Sequence, residues 1–141
     1  MPNENPEWYA KKNAASITRY FAEKDLQYEV SEREGNQFLF TSSLSDEGHY
    51  VGFNIVITAD DISFFAEKEV AEVDKPNIYE MMNAWNMAIK FGRFIYLPEE
   101  GKIYYEHTML PDTLDNIDRY FENYLMLSWG AATRLSEAEP S

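Results

Sequence analysis

Two histidines, a surplus of acids and two asparagines are the residues of this chain whose types could do chemistry. His107 stands between Glu106 and Thr108 in KIYYEHTM. A histidine facing an acid can serve as a general base near neutral pH. On a strand, however, His107 shares its face with Tyr105 and Met109, which describes a half-buried ring held by one hydrogen bond. His49 follows Asp46-Glu47-Gly48, a crude set of oxygen and nitrogen donors. That group has neither zinc nor calcium spacing and reads as a solvated turn. The acids are numerous enough for chance pairs to be common on any surface. No phosphate-cradling glycine loop, nucleophile elbow or dinucleotide fingerprint occurs. No catalytic, cofactor or metal residue is therefore assigned, and a non-enzyme is expected.

Asn83 and Asn86 lie in NIYEMMNAWNMAIKFG. Asparagine is a mediocre residue in mid-helix. One that borders an apolar stripe often bonds the backbone of a neighbouring segment. Asn86 lies beside the Met82–Ile89 edge of such a stripe and is expected to fasten the helix to the strand that follows. Asn83 lies further round. Trp85 belongs to the stripe itself. Tyr50, Tyr96, Tyr104 and Trp129 join apolar area to a polar handle, a chemistry used both in cores and at interfaces.

The elements that carry these residues follow from periodicity. Asn5 is placed to cap a helix from Pro6 to Lys24, with Ala10, Ala14, Ile17 and Phe21 on one face. Leu26, Tyr28 and Val30 then alternate with polar residues, the mark of a strand buried on one face. Glu34-Gly35-Asn36 turns the chain into Phe38–Thr41. Tyr50–Thr58 is the longest strand signal and reads as central, and Ile62–Glu67 follows as a fourth strand. Asn77 is expected to cap a second helix carrying Ile78, Met81, Met82, Trp85 and Ile89. Arg93–Leu97 and Lys102–Leu110 form a hairpin around Pro98-Glu99-Glu100-Gly101. A third helix is expected from Pro111-Asp112, with Asp112, Asp115 and Asp118 where the helix dipole favours negative charge.

The order α-β-β-β-β-α-β-β-α, with short turns between successive strands, predicts an antiparallel sheet with helices on one face. The fold class is α+β in two layers. One domain is expected over residues 6–132, with flexible termini at 1–5 and 133–141. The 141 residues suffice for a single core. With no cysteine, disulfide scaffolds and thiolate sites are excluded. The net charge of −13 disfavours nucleic acid and anionic membranes; it reads as a solvated exterior or, more sharply, as a surface suited to a basic partner segment. No run has the length of a transmembrane helix. MPNENPEWYAKKN holds no apolar signal core, so a cytoplasmic location is expected.

Asn83-Ala84-Trp85-Asn86, then Arg93-Phe94-Ile95-Tyr96, then Ile103-Tyr104-Tyr105-Glu106 resemble the helix and hairpin of the bacterial YbjN-like family of sensory transduction regulators. Ile17-Thr18-Arg19-Tyr20-Phe21 and the Tyr28 strand resemble its N-terminal part. The likeness spans about residues 14 to 130. It implies a fold similar to type III secretion chaperones, which are small acidic proteins that dimerise and bind extended partner segments. It implies no catalytic residue. Asn83, Trp85, Asn86, Arg93, Tyr96 and Tyr104 carry the resemblance and are the candidate structural or interaction residues.

The expected function is a non-catalytic protein-binding or regulatory module, chaperone-like in kind. It would engage a partner through an apolar patch or a strand edge such as Tyr28–Ser31 or Ile62–Glu67. One alternative is a self-associating homodimer that buries the second helix or the strand Tyr104–Leu110. The other is an enzyme or ligand sensor that sets acids against His107.

Overall fold

Asn5 opens the first helix as its spacing predicts, its side-chain oxygen accepting from the Glu7 N–H at 2.9 Å. In the structure, a computed structural model describing residues 5–44, 50–70 and 75–137, α1 spans Pro6–Glu23. Trp8 and Tyr9 belong to it. Its stripe of Ala10, Ala14, Ile17, Tyr20 and Phe21 is buried.

The strands are β1 (Glu29–Arg33), β2 (Asn36–Leu44), β3 (Tyr50–Ile57), β4 (Ile62–Glu69), β5 (Arg93–Leu97) and β6 (Lys102–Met109). They form one antiparallel sheet in the order β1-β2-β3-β4-β6-β5. Helix α2 (Lys75–Ala88) precedes β5, and α3 (Glu122–Ala132) follows β6. The fold is α+β.

Alternation divides the sheet into two faces. Leu39, Phe53, Ile55, Ile57, Ile62, Phe64, Ala66, Phe94, Ile103 and Tyr105 are buried on the inner face. They form one cluster with Ile17 and Phe21 of α1, Ile78, Met82 and Trp85 of α2, and Leu125 and Ala132 of α3. Tyr20 and Phe121 meet edge to face at 5.5 Å, which joins the first helix to the segment leading into the last. Burial, with the Glu122 and Asp118 carboxylates nearby, pushes the Tyr20 hydroxyl up to about 12.

The structure corrects the sequence reading in five places. First, the strand expected at Leu26–Ser31 with one buried face is β1 at Glu29–Arg33, and all five of its residues are exposed. Tyr28 and Val30 alternate as a buried strand would, but they sit at the rim of the sheet. Second, Ile62–Glu67 is not an edge, because β4 lies between β3 and β6. The strand Tyr104–Leu110 likewise has both edges taken, by β4 and β5. Third, α2 begins at Lys75, so Asn77 lies in its first turn rather than ahead of it. Fourth, Pro111–Asn116 is a 3₁₀ turn and Ile117–Phe121 a π turn, with regular α-helix only from Glu122. Neither short turn has a side-chain cap, and Asn116 leaves helical geometry at φ −138°. Fifth, the chain does not loosen at residue 133. Thr133–Glu137 makes another 3₁₀ turn, and Leu135 enters the core at 2% exposure.

Candidate functional site

The residues singled out in the sequence do not converge on one cleft. Trp85 is in the core, its ring 5.0 Å from Phe94. Tyr96 is buried beneath Tyr79, ring centroids 5.5 Å apart. Asn83 is on the exposed side of α2, 3.9 Å from the Met87 sulfur. Arg93 and Tyr104 are on the outer face of the sheet. His49 and Asp46-Glu47-Gly48 lie outside the described residues. Among the described residues no group of three or more His, Cys, Asp or Glu could hold a metal ion.

His107 stacks on Phe64, with centroids 6.2 Å apart, and also meets Phe91 and Tyr124. A cleft of about 280 Å³ touches Gly92, Arg93, Glu106, His107 and Thr108. Glu106 and His107 are strand neighbours, so their side chains leave on opposite faces. Glu106 is already held by the Arg93 Nε–H at 2.7 Å. The adjacent acid is thus not the partner a catalytic histidine would need.

Burial lowers the His107 pKa below its ordinary 6.5. A folded pKa below the unfolded one means that the unfolded chain binds the extra proton first. Stability from this group is therefore complete above about pH 6.5 and falls as pH drops toward the folded value. The groups facing the ring are the aromatics Phe64, Phe91 and Tyr124. His107→Phe should accordingly flatten the drop in melting temperature between pH 7.5 and 5.5. An unchanged slope would assign the drop to other groups.

Asn86 does something more specific. Its side-chain carbonyl accepts from the Phe94 N–H at 2.7 Å, and its NH₂ donates to the Phe94 carbonyl at 3.2 Å. In an antiparallel strand one residue sends both backbone groups to the same side. Phe94 therefore faces away from β6, toward the free edge of β5. The Asn86 carboxamide occupies the position that a neighbouring strand's amide would take and blocks that edge at Phe94. Asn86→Ala should cost about 2 kcal/mol, from two unpaired backbone groups in a part-buried setting. It should also make the protein associate through β5, as seen by light scattering. A stable, strictly unchanged variant would refute the clamp.

Among the described residues the opposite edge, β1, carries no such cover. The two halves of the outer face differ in the same sense. On the β5 side its polar groups pair with one another: Arg93 with Glu106, Lys102 with Glu67 at 3.5 Å, the Ser63 and Thr108 hydroxyls at 3.0 Å, and the Tyr104 hydroxyl donating to Glu100 at 3.3 Å. On the β1 side stand Phe38, Phe40 and Val56. Phe40 is 41% exposed. Arg33 lies over the Phe38 ring at 5.8 Å. The open edge and the unsatisfied apolar surface coincide. Of the two candidate edges named from the sequence, Tyr28–Ser31 overlaps the terminal strand β1 and Ile62–Glu67 does not lie at an edge.

A second surface is a groove of about 350 Å³ between the end of α2 and α3, touching Ile89, Lys90, Phe91, Met126, Leu127 and Arg134.

Comparison with known proteins gives one match. The model of the YbjN family, described as "Putative bacterial sensory transduction regulator", matches residues 13–132. No curated protein and no solved structure matches the chain.

Proposed function

The chain belongs to the YbjN family, and from that premise we propose that it is a non-catalytic regulatory module that accepts an extended partner segment along β1. The observation that carries this reading is the asymmetry of the sheet. One edge is blocked at Phe94 by Asn86, and the other is exposed at all five residues. Strand addition supplies main-chain hydrogen bonds for affinity and side-chain pairs for selectivity. Exposed Glu29, Glu32 and Arg33 discourage indiscriminate pairing, as charges on natural sheet edges do. They select a segment with a cation opposite Glu29, which agrees with the net charge of −13. Phe38 and Phe40 offer apolar area to alternate side chains of that segment. Among the described residues no helix is long and apolar enough to cross a membrane.

The test is an NMR titration of ¹⁵N-labelled protein with a synthetic eight-residue peptide alternating lysine and valine. Amide shifts should concentrate in residues 26–44. The same peptide with glutamate for lysine should shift them far less. Charge reversal of Glu29 and Glu32 to lysine, at exposed positions that barely affect folding, should abolish the preference. Shifts centred on β5 or α3, or equal responses to both peptides, would overturn the proposal.

A further inference from the structure

The sequence of β1 is Glu29-Val30-Ser31-Glu32-Arg33. An antiparallel copy of this strand laid beside it about a two-fold axis at Ser31 places Glu29 opposite Arg33 of the copy and Arg33 opposite its Glu29. Val30 then faces Glu32, and Ser31 faces itself. Directly opposed residues of an antiparallel pair point to the same face. Glu29 and Arg33 both share the outer face, opposite Phe40 and Asn36 of β2 respectively. Both cross-copy pairs therefore form beside Phe38 and Phe40.

Within one chain these two charges cannot meet. Four residues of extended strand separate them by about 13 Å, whereas a salt bridge needs about 4 Å or less. Among the described residues Glu29 makes no salt bridge, and the Arg33 guanidinium lies over the Phe38 ring without an acid partner. The complement that Glu29 and Arg33 each lack is supplied, in register, by a second copy of the same five residues. Such an isologous contact closes at two subunits, because it uses up the open edge of both. The other end of each sheet is already blocked at Phe94 by Asn86.

We propose that β1 pairs with β1 of a second copy, centred on Ser31, to give a continuous twelve-stranded sheet in a two-fold dimer. This rests on the reading of β1 as a strand-accepting edge and names its occupant. A dimer held by five residues a side and two exposed ion pairs is weak and concentration-dependent. An external segment reaches β1 by displacing the second copy, so dimerisation and partner binding compete.

The experiment is sedimentation equilibrium of the full chain across micromolar to millimolar concentration, at low salt, on four proteins. Wild type should show a monomer–dimer equilibrium. Glu29→Arg and Arg33→Glu each turn two attractive pairs into two repulsive ones. Each should weaken the dimer about tenfold. Combining both exchanges the signs and restores the pairing, so the double variant should return to within about threefold of wild type. A second measurement is independent of charge. The chain has no cysteine, and facing residues in antiparallel strands lie within disulfide range. Ser31→Cys should therefore oxidise to a covalent dimer much faster than Ala15→Cys, which puts the thiol on an exposed position of α1. A wild-type chain that stays at 16.5 kDa throughout, single variants that dimerise as well as wild type, or equal oxidation at both cysteines would overturn the self-pairing. If the monomeric chain still takes the lysine–valine peptide at residues 26–44, the strand-acceptor reading stands and only its occupant changes.

Discussion

Gly92→Ala is expected to lose about 3 kcal/mol of stability, or roughly 10 °C of melting temperature for a chain of this size. Gly92 has φ +79°, a left-handed conformation that costs an L residue about 1–2 kcal/mol. The steric term adds to this. A Cβ there would lie 2.6 Å from the Glu106 carbonyl oxygen, a backbone atom that cannot swing aside, and would also run into the Tyr105 hydroxyl. That hydroxyl donates to the Phe91 carbonyl at 2.9 Å and holds the link between α2 and β5 against β6. The glycine that ends the helical pattern in the sequence is thus also the point where the chain passes tightest against the sheet. Thermal unfolding monitored by circular dichroism checks it. A loss under 1 kcal/mol would mean that the link can move away from Tyr105 without cost.

Trp85→Ala should be at least as severe, at about 3–5 kcal/mol. Trp85 is 6% exposed and is the largest apolar group that α2 contributes to the core, where it packs on Phe94. The cavity cannot be filled by Ile78 or Met82, which are themselves committed to the same cluster. Because Asn86 is the next residue, loosening the helix also loosens the clamp on β5. The variant should therefore show both a lower urea midpoint and increased association, whereas Gly92→Ala, read in the same assay, should mainly lower the midpoint. A Trp85→Ala protein within 1 kcal/mol of wild type would place the anchoring of α2 elsewhere.

Much of the architecture was legible because local signals agreed with one another. The hairpin β5–β6 could be read closely because Pro98 and Gly101 punctuate two runs of alternating residues, and Gly101 does take φ +62°. The first helix was legible from Asn5, Pro6 and the Ala10–Phe21 stripe. The interior strand β3 showed in its apolar residues on both faces. The position of a strand in the sheet was less legible. Tyr28 and Val30 alternate like a half-buried strand, but their exposure is decided by β1 being terminal. Likewise Ile62–Glu67 could not be recognised as interior, since its second neighbour, β6, arrives some forty residues later in the chain. Leu135 looked like tail because one leucine among polar residues has no period, yet the turn at Thr133 directs it into the core.

The candidate site was legible only in part, for the same reason. Asn86 drew notice as an asparagine at the border of an apolar stripe. That it blocks a strand edge depends on Phe94 being turned away from β6, which is a matter of register and not of composition. Asn83, three residues earlier, has the same chemistry but a solvent-facing position. The charges Glu29 and Arg33 read as ordinary surface until β1 is seen to be the open end of the sheet. The site is a consequence of topology more than of any motif.

The central claim is that β1 is the receptive edge and β5 the blocked one. Site-specific photo-crosslinking in living cells tests this directly, with a photoreactive amino acid placed at Ser31 or at Ile95. Adducts, whether with a second copy or with another protein, should form at Ser31 and be scarce at Ile95, and Asn86→Ala should raise the yield at Ile95. Equal yields at the two positions in the unaltered protein, or adducts confined to Ile95, would contradict the claim.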